Sequence, residues 1–193
     1  MNTTARWDVR KTELSVTSQL NSIKNHLWLD SERNWNLSPN FIDVYGIGIE
    51  KRQQIGRFFS IRGKVLYQKT NDTIVDLPLF ATSSTVLFQT PLYFKSTKGR
   101  ATLNVGVDCW FNTQYYIPDF DPALNQFFTQ RLLKLGDYPF VDIFISARIK
   151  RMVLLLRLEH INAGMQGTTY FDAYNYPSRP FNVKMGLSWT FYD

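Results

Sequence analysis

From residue 181 to 192 the chain alternates without a break. Phe181, Val183, Met185, Leu187, Trp189 and Phe191 form one set, and Asn182, Lys184, Gly186, Ser188, Thr190 and Tyr192 the other. Successive side chains of a β-strand point to opposite faces, so this segment predicts a strand with one apolar and one mostly polar face. A helical period of 3.6 cannot sort these residues so cleanly. Residues 101–112 repeat the pattern, with Ala101, Leu103, Val105, Val107, Cys109 and Phe111 on the apolar side. Between them, a two-residue turn at Lys150-Arg151 would set Ile149 opposite Met152. It would then pair Ala147, Ile145 and Ile143 with Leu154, Leu156 and Leu158 on one apolar face. Lys-Arg is an unusual choice for such a tight turn, which favours Asn-Gly.

Eight strand-like segments emerge, at 13–29, 41–51, 57–69, 85–94, 101–115, 140–149, 152–161 and 181–192. Two are irregular: 41–51 places Asp43 among its apolar residues, and 13–29 changes face partway along. The connections alternate in length. Those at 53–56, 96–99 and 150–151 are short, and those at 31–40, 71–84, 116–139 and 162–180 are long. Short turns on one side and long loops on the other are the habit of outer-membrane β-barrels. Roughly 10 residues at about 3.3 Å each, tilted about 40°, rise about 25 Å, the height of the apolar band of such barrels. The expected fold is all-β: an antiparallel up-and-down transmembrane barrel of about eight strands, or part of a larger one. Residues 1–193 read as one domain, with both chain ends on the short-turn side.

Aromatic placement strengthens this picture. Phe58, Phe59, Tyr93, Phe94, Trp189 and Phe191 fall at short-turn ends, and Trp28, Phe41, Tyr67, Tyr115 and Tyr116 at long-loop ends. Rings with an apolar body and a polar edge suit the two membrane interfaces. Aromatics make up 16% of the 193 residues, a share that favours strands over helices. The longest apolar run, residues 152–156, is far shorter than the 20 or so residues of a membrane helix. Residues 1–10 hold no apolar core of an export signal, so the chain is expected to be the C-terminal part of a longer barrel.

Charge and chemistry change the picture little. The net charge is +6, but no dense Lys/Arg cluster exists, so nucleic acid is not an expected partner. Cys109 is alone, and His26 and His160 sit in separate segments, so neither a disulfide, a metal site nor a cofactor is expected. There is no G-x-S-x-G elbow, and Gly46-x-Gly48 is a fragment within a strand rather than a phosphate loop. No catalytic residues are assigned. Asp142 and Glu159 would face each other across the hairpin, and like charges there require a cation between them. Arg157, Arg148 and Lys184 are the candidates. Asp121-Pro122 could cap a short helix carrying Leu124, Phe128 and Leu135 and stopped by Gly136, or 116–139 could run extended. Folded inward, Phe127, Phe128 and Arg131 would narrow the mouth.

The order of several stretches is familiar. Residues 138–144 (YPFVDIF), 147–151 (ARIKR), 158–162 (LEHIN) and 186–193 (GLSWTFYD), with 65–69 (VLYQK) and 125–128 (NQFF) upstream, resemble the putative porin family of Bacteroidetes outer membranes. The likeness covers most of the chain from Leu14 onward. It implies an integral outer-membrane protein through which small solutes pass, and it assigns no functional residues. The reading is a porin-like barrel, not an enzyme, whose partners are outer-membrane lipid and small solutes, with an oligomer left open. The lumen-lining candidates are Arg62, Lys64, Asp108, Asp142, Arg148, Arg157, Glu159 and Lys184, whose cations outnumber their anions and predict a weak anion preference. Two alternatives stand: a non-conducting barrel that binds or supports through its long loops, and a soluble barrel with its apolar face inside.

Overall fold

The structure is a computed structural model that describes residues 1–93, 101–165, 171–173 and 176–191. In chain order its strands are β1 (Asn2–Val9), β2 (Leu14–Ile23), β3 (Leu27–Leu29), β4 (Trp35–Leu37), β5 (Ile42–Ile55) and β6 (Phe59–Thr70). They continue with β7 (Phe80–Leu92), β8 (Ala101–Asn112), β9 (Tyr115–Tyr116), β10 (Asp119–Asp121), β11 (Gln126–Phe128) and β12 (Lys134–Leu135). The last are β13 (Phe140–Ile149), β14 (Met152–Glu159), β15 (Phe171–Ala173), β16 (Tyr176–Pro177) and β17 (Asn182–Trp189). Nine of them form one sheet in the order β1-β2-β5-β6-β7-β8-β13-β14-β17, every neighbour antiparallel and next along the meander. The remaining strands form two-stranded ribbons within the long connections. The sheet is open: β1 and β17 are its edges.

The register of the last hairpin is the one the alternation predicts. Ile143 pairs with Leu158, Ile145 with Leu156, Ala147 with Leu154 and Ile149 with Met152. Lys150 takes φ 52° to close the turn. The apolar row continues sideways in both directions, through Val105 and Val107 of β8 and through Met185 and Leu187 of β17. This face is open to the surroundings: Leu154 is 42% exposed, Leu187 63% and Trp189 55%. The opposite face is drawn together by its own polar side chains, with Asp142 only 2% exposed.

Five expectations change. The sheet has nine strands rather than eight, because residues 2–9 pair with β2 in unbroken register, Asn2 with Asn21 through Val9 with Leu14. One face of β1 holds Arg6 and Asp8, and the other is interrupted by Thr3 and Ala5, so its alternation is weak. The odd strand count then separates the termini. Met1 donates its N-terminal ammonium to the Ser22 carbonyl at the loop end (2.8 Å), whereas Thr190 bonds Arg151 at the turn end. The face change within 13–29 is a real break, for β2 ends at Ile23 and Leu27–Leu29 joins a separate ribbon with β4. β7 begins at Phe80 instead of 85, since Thr82, Ser83 and Ser84 read as loop yet pair with β6. No helix forms over 121–135: Asp121 accepts bonds from the Ala123 and Leu124 amides, and β10 and β11 close a small hairpin. Residues 96–99, Phe94 and Tyr192 lie outside the described residues.

Rings gather at both ends. Phe59 meets Phe88 at 5.0 Å and Trp189 stacks on Phe191 at 5.8 Å near the turns, while Tyr67 meets Phe80 at 5.2 Å near the loops. Tyr115 and Tyr116 belong instead to the loop layer: the Tyr116 amide donates to Asp76, and Arg131 lies 4.9 Å over the Tyr116 ring. Trp28 likewise sits in the β3–β4 ribbon.

One glycine is required by packing. At Gly106 a Cβ would run into the Phe144 ring, which crosses the polar face from the neighbouring strand. Gly106→Ala is therefore expected to lower folding stability by about 1–3 kcal/mol through overpacking. The check is the urea midpoint in detergent, with Gly106→Ala/Phe144→Leu recovering much of the loss.

Candidate functional site

The polar face holds a transverse row of charges. It starts with Arg62 on β6, opposite Thr85, which pairs in turn with Asp108 and then Asp142. Thr85 Oγ1 donates to Asp108 at 2.7 Å. Arg157 on β14 is the hub. Its guanidinium reaches Asp142 at 2.7 Å, Asp108 at 2.9 Å and Glu159 at 3.7 Å. A cation thus stands between the carboxylates, as the hairpin register demands. Lys184 on β17 completes the row, donating to Glu159 at 2.7 Å. The Arg157 guanidinium also lies 5.9 Å over the Phe144 ring, the same ring that Gly106 admits.

Burial grades this network. Asp142 is 2% exposed, and its second oxygen accepts the His160 amide at 2.8 Å. An enclosed carboxylate without partners would be costly, and here both oxygens have them. His160 is buried too: its Nδ1 donates to the Arg179 carbonyl at 2.8 Å and its Nε2 meets the Tyr138 hydroxyl at 2.7 Å. The charged cluster is therefore clamped to the base of the 160–181 loop.

The eight candidate residues do not form one group. Asp108, Asp142, Arg157, Glu159 and Lys184 come together. Arg62 is apart, held by Glu50 at 2.5 Å, and with Lys64, Ser83 and Thr85 these two line a second cavity of about 270 Å³. Arg148 is exposed, opposite Thr102 and Val153, and has no ion pair among the described residues. Sequence reading missed Glu50 because it ended the strand at residue 51. With β5 running to Ile55 and the turn at 56–58, where Gly56 has φ 63°, Glu50 falls opposite Lys64. It also missed Trp110 and Phe140, whose rings stack at 5.5 Å on the polar face.

The long connections pack on one another. The Thr129 amide donates to the Leu29 carbonyl at 2.9 Å, and Arg33 bonds Asp121 at 2.5 Å while lying 4.9 Å over Phe128. Arg131 pairs with Asp76 at 3.3 Å and donates to the Thr73 carbonyl. Phe128 and Arg131 are thus engaged in loop contacts, and Phe127 stays 62% exposed. Arg33, then the Leu124 and Ala123 amides, hold the Asp121 carboxyl below the usual carboxylate range. Burial, then the nearby Asp76 charge, raises the Tyr115 phenol.

An antiparallel meander with one exposed apolar face, one face of paired charges, short turns at one end and interlocked loops at the other defines the wall of an outer-membrane-type β-barrel. The chain belongs to the family described as Putative porin, whose pattern matches residues 2–193. No curated protein and no solved structure matches it. Membership points to a porin-like role in transport or structure.

Two outcomes follow from this geometry. Asp142→Asn removes a charge-assisted partner from Arg157 and is expected to cost about 1.5–3 kcal/mol, less than a full orphaning because Asp108 remains. Asp108→Asn, at the more exposed partner, costs less; urea midpoints in detergent rank the two. The second concerns pH. Because the folded Asp121 carboxyl titrates below its unfolded value, the tether to Arg33 contributes fully above about pH 4 and is lost as pH falls through the lowered folded value. Pepsin nicking within 117–135 is expected to rise over that acid window. Asp121→Asn should make it high and flat with pH, while Asp30→Asn, which touches the neighbouring turn, should keep the dependence.

Proposed function

We propose that the chain forms part of the wall of an outer-membrane barrel through which small solutes pass by passive diffusion, with no catalytic step. One observation carries the reading. The face that would be costly in water is exposed, and the face that would be costly in lipid is internally paired. A soluble barrel with an apolar interior would present the opposite arrangement. In this reading the apolar rows meet acyl chains, and Arg62, Lys64, Asp108, Asp142, Arg148, Arg157, Glu159 and Lys184 line an aqueous lumen. The open sheet supports a larger barrel, of which these nine strands are one domain's share.

Selectivity follows from which charges remain uncompensated. Arg62 is neutralised by Glu50, while Arg157 and Lys184 face three carboxylates, which leaves one negative charge over in that cluster against the two cations Lys64 and Arg148. Lys64 and Arg148 have no ion pair among the described residues, which leaves the lumen weakly cationic. Reconstituted into planar bilayers, the protein is expected to conduct and to show a reversal potential of anion-preferring sign in a salt gradient. Lys64→Glu/Arg148→Glu should reverse that sign. A folded, inserted protein that does not conduct would support the structural alternative instead.

A further inference from the structure

We propose that the loop end of the polar face carries a binding subsite for a neutral saccharide ring. The site is a cavity of about 270 Å³ lined by Trp110, Phe140, Asp142, Arg157, Glu159 and Lys184, among others. That is just below the usual range for small-molecule clefts, about 300–1,000 Å³, and suits one ring rather than a long chain. The proposal takes from the functional reading above only that this face meets water.

An aromatic platform forms one wall of the cavity. Trp110 is 40% exposed although it stands on the polar face, beside Ser83 and Phe140 in register. Its indole is held by stacking on Phe140 at 11° between planes. Phe140 is itself wedged edge-on by Tyr138 at 5.0 Å and tilted against His160 at 4.8 Å. A rigid, half-open aromatic plate at a wet surface offers a stacking face to something apolar and flat. The C–H face of a pyranose is such a surface, and its hydroxyls stay available to polar neighbours.

Hydrogen-bonding groups stand beside the plate. Asp142, Arg157, Glu159 and Lys184 already have partners, so an ionic ligand at these four would have to displace one and leave the other unpaired, whereas the exposed Arg179, which also lines the cavity, has no ion pair among the described residues. A hydroxyl needs no such exchange. Glu159 Oε1 takes the Lys184 bond, and Oε2 has no hydrogen bond among the described residues. The Lys184 ammonium has three donors, of which one goes to Glu159. An acceptor and donors therefore sit next to the aromatic plate, in a fixed order, each already held by an ion pair. This is the requirement for recognising a neutral polyol.

Maltose titrated into the protein in detergent micelles, followed by saturation-transfer NMR, tests this. Transfer to the ring C–H protons is expected, with glucosamine, whose ammonium would have to displace Arg157 or Lys184 from their carboxylates, weaker at equal concentration. Trp110→Ala should reduce apparent affinity by about fivefold or more. Trp110→Phe, which keeps a plate, should retain part of it, and Trp189→Ala on the apolar face should change nothing. Circular dichroism confirms that each variant keeps its sheet. No transfer to maltose above empty micelles, or equal affinity in a folded Trp110→Ala, would overturn the site. Maltose binding without conductance would leave this site standing and remove the diffusion pathway. Conductance without maltose transfer would do the reverse.

Discussion

Hydrocarbon offers no partner to a backbone N–H or C=O, and the rest of this structure depends on that constraint. Each unpaired group costs several kcal/mol there, so a chain that spans with strands must give every strand two neighbours. The seven inner strands of the meander meet the requirement by pairing with the next strand on each side. Once pairing is set, the period of two sorts the side chains, and a slip of one residue would exchange the two faces wholesale. The register cannot drift, because a slip in the hairpin of β13 and β14 would turn Ile145, Leu154 and Leu156 inward. It would also turn Asp142 and Arg157 into lipid.

The polar face obeys a second rule that follows from the first. Its charges lie close to a low-dielectric wall, where an unpartnered ion is costly, so although like charges face each other in register, Asp108 with Asp142 and Arg157 with Lys184, the side chains pair diagonally across strands. Arg157 serves three carboxylates from three different strands, which ties β8, β13 and β14 together through side chains as well as through their ladders. Gly106 and Phe144 belong to the same device. The absent side chain lets the ring lie across the strand, and the ring supports the guanidinium. Ordering the hub also orders the aromatic plate, because Asp142 holds the His160 amide and the His160 ring packs on Phe140.

What could be read from sequence divides along these lines. Period-two alternation is strong wherever one face is uniformly apolar, so β13 was legible to the residue, and β8, β14 and β17 were legible in register but end two or three residues sooner than expected. It failed where Ser and Thr occupy both faces, as at 82–84 of β7, and in β1, where Thr3 and Ala5 interrupt the apolar side. There the neighbouring strand decides the assignment, and a single segment does not contain that information. The cation between Asp142 and Glu159 was readable because the hairpin is local. Its link to Asp108 was not, since that contact depends on pairing across a long connection. The loop layer was the least legible part. Arg33 and Asp121 are far apart in the chain, and nothing in either segment names the other.

Strand direction imposes a last condition on the wall. β1 runs from the loop end to the turn end, since Asn2 lies beside Asn21 and Val9 beside Leu14, and β17 runs the same way from Asn182 to Trp189 beside the turn at Arg151. Two edges pointing in the same direction can meet each other only as a parallel pair. A second copy in the same membrane orientation cannot change this, because its edges point that way too. An all-antiparallel ring therefore needs an odd number of strands between β17 and β1, which brings the total to the even number usual for bacterial barrels. The polar-face row ends at Lys184 on one edge strand, and the same face of the other carries Arg6 and Asp8, paired with each other at 3.0 Å. Both edge strands thus present polar-face charges that are already ion-paired, Lys184 with Glu159 and Arg6 with Asp8.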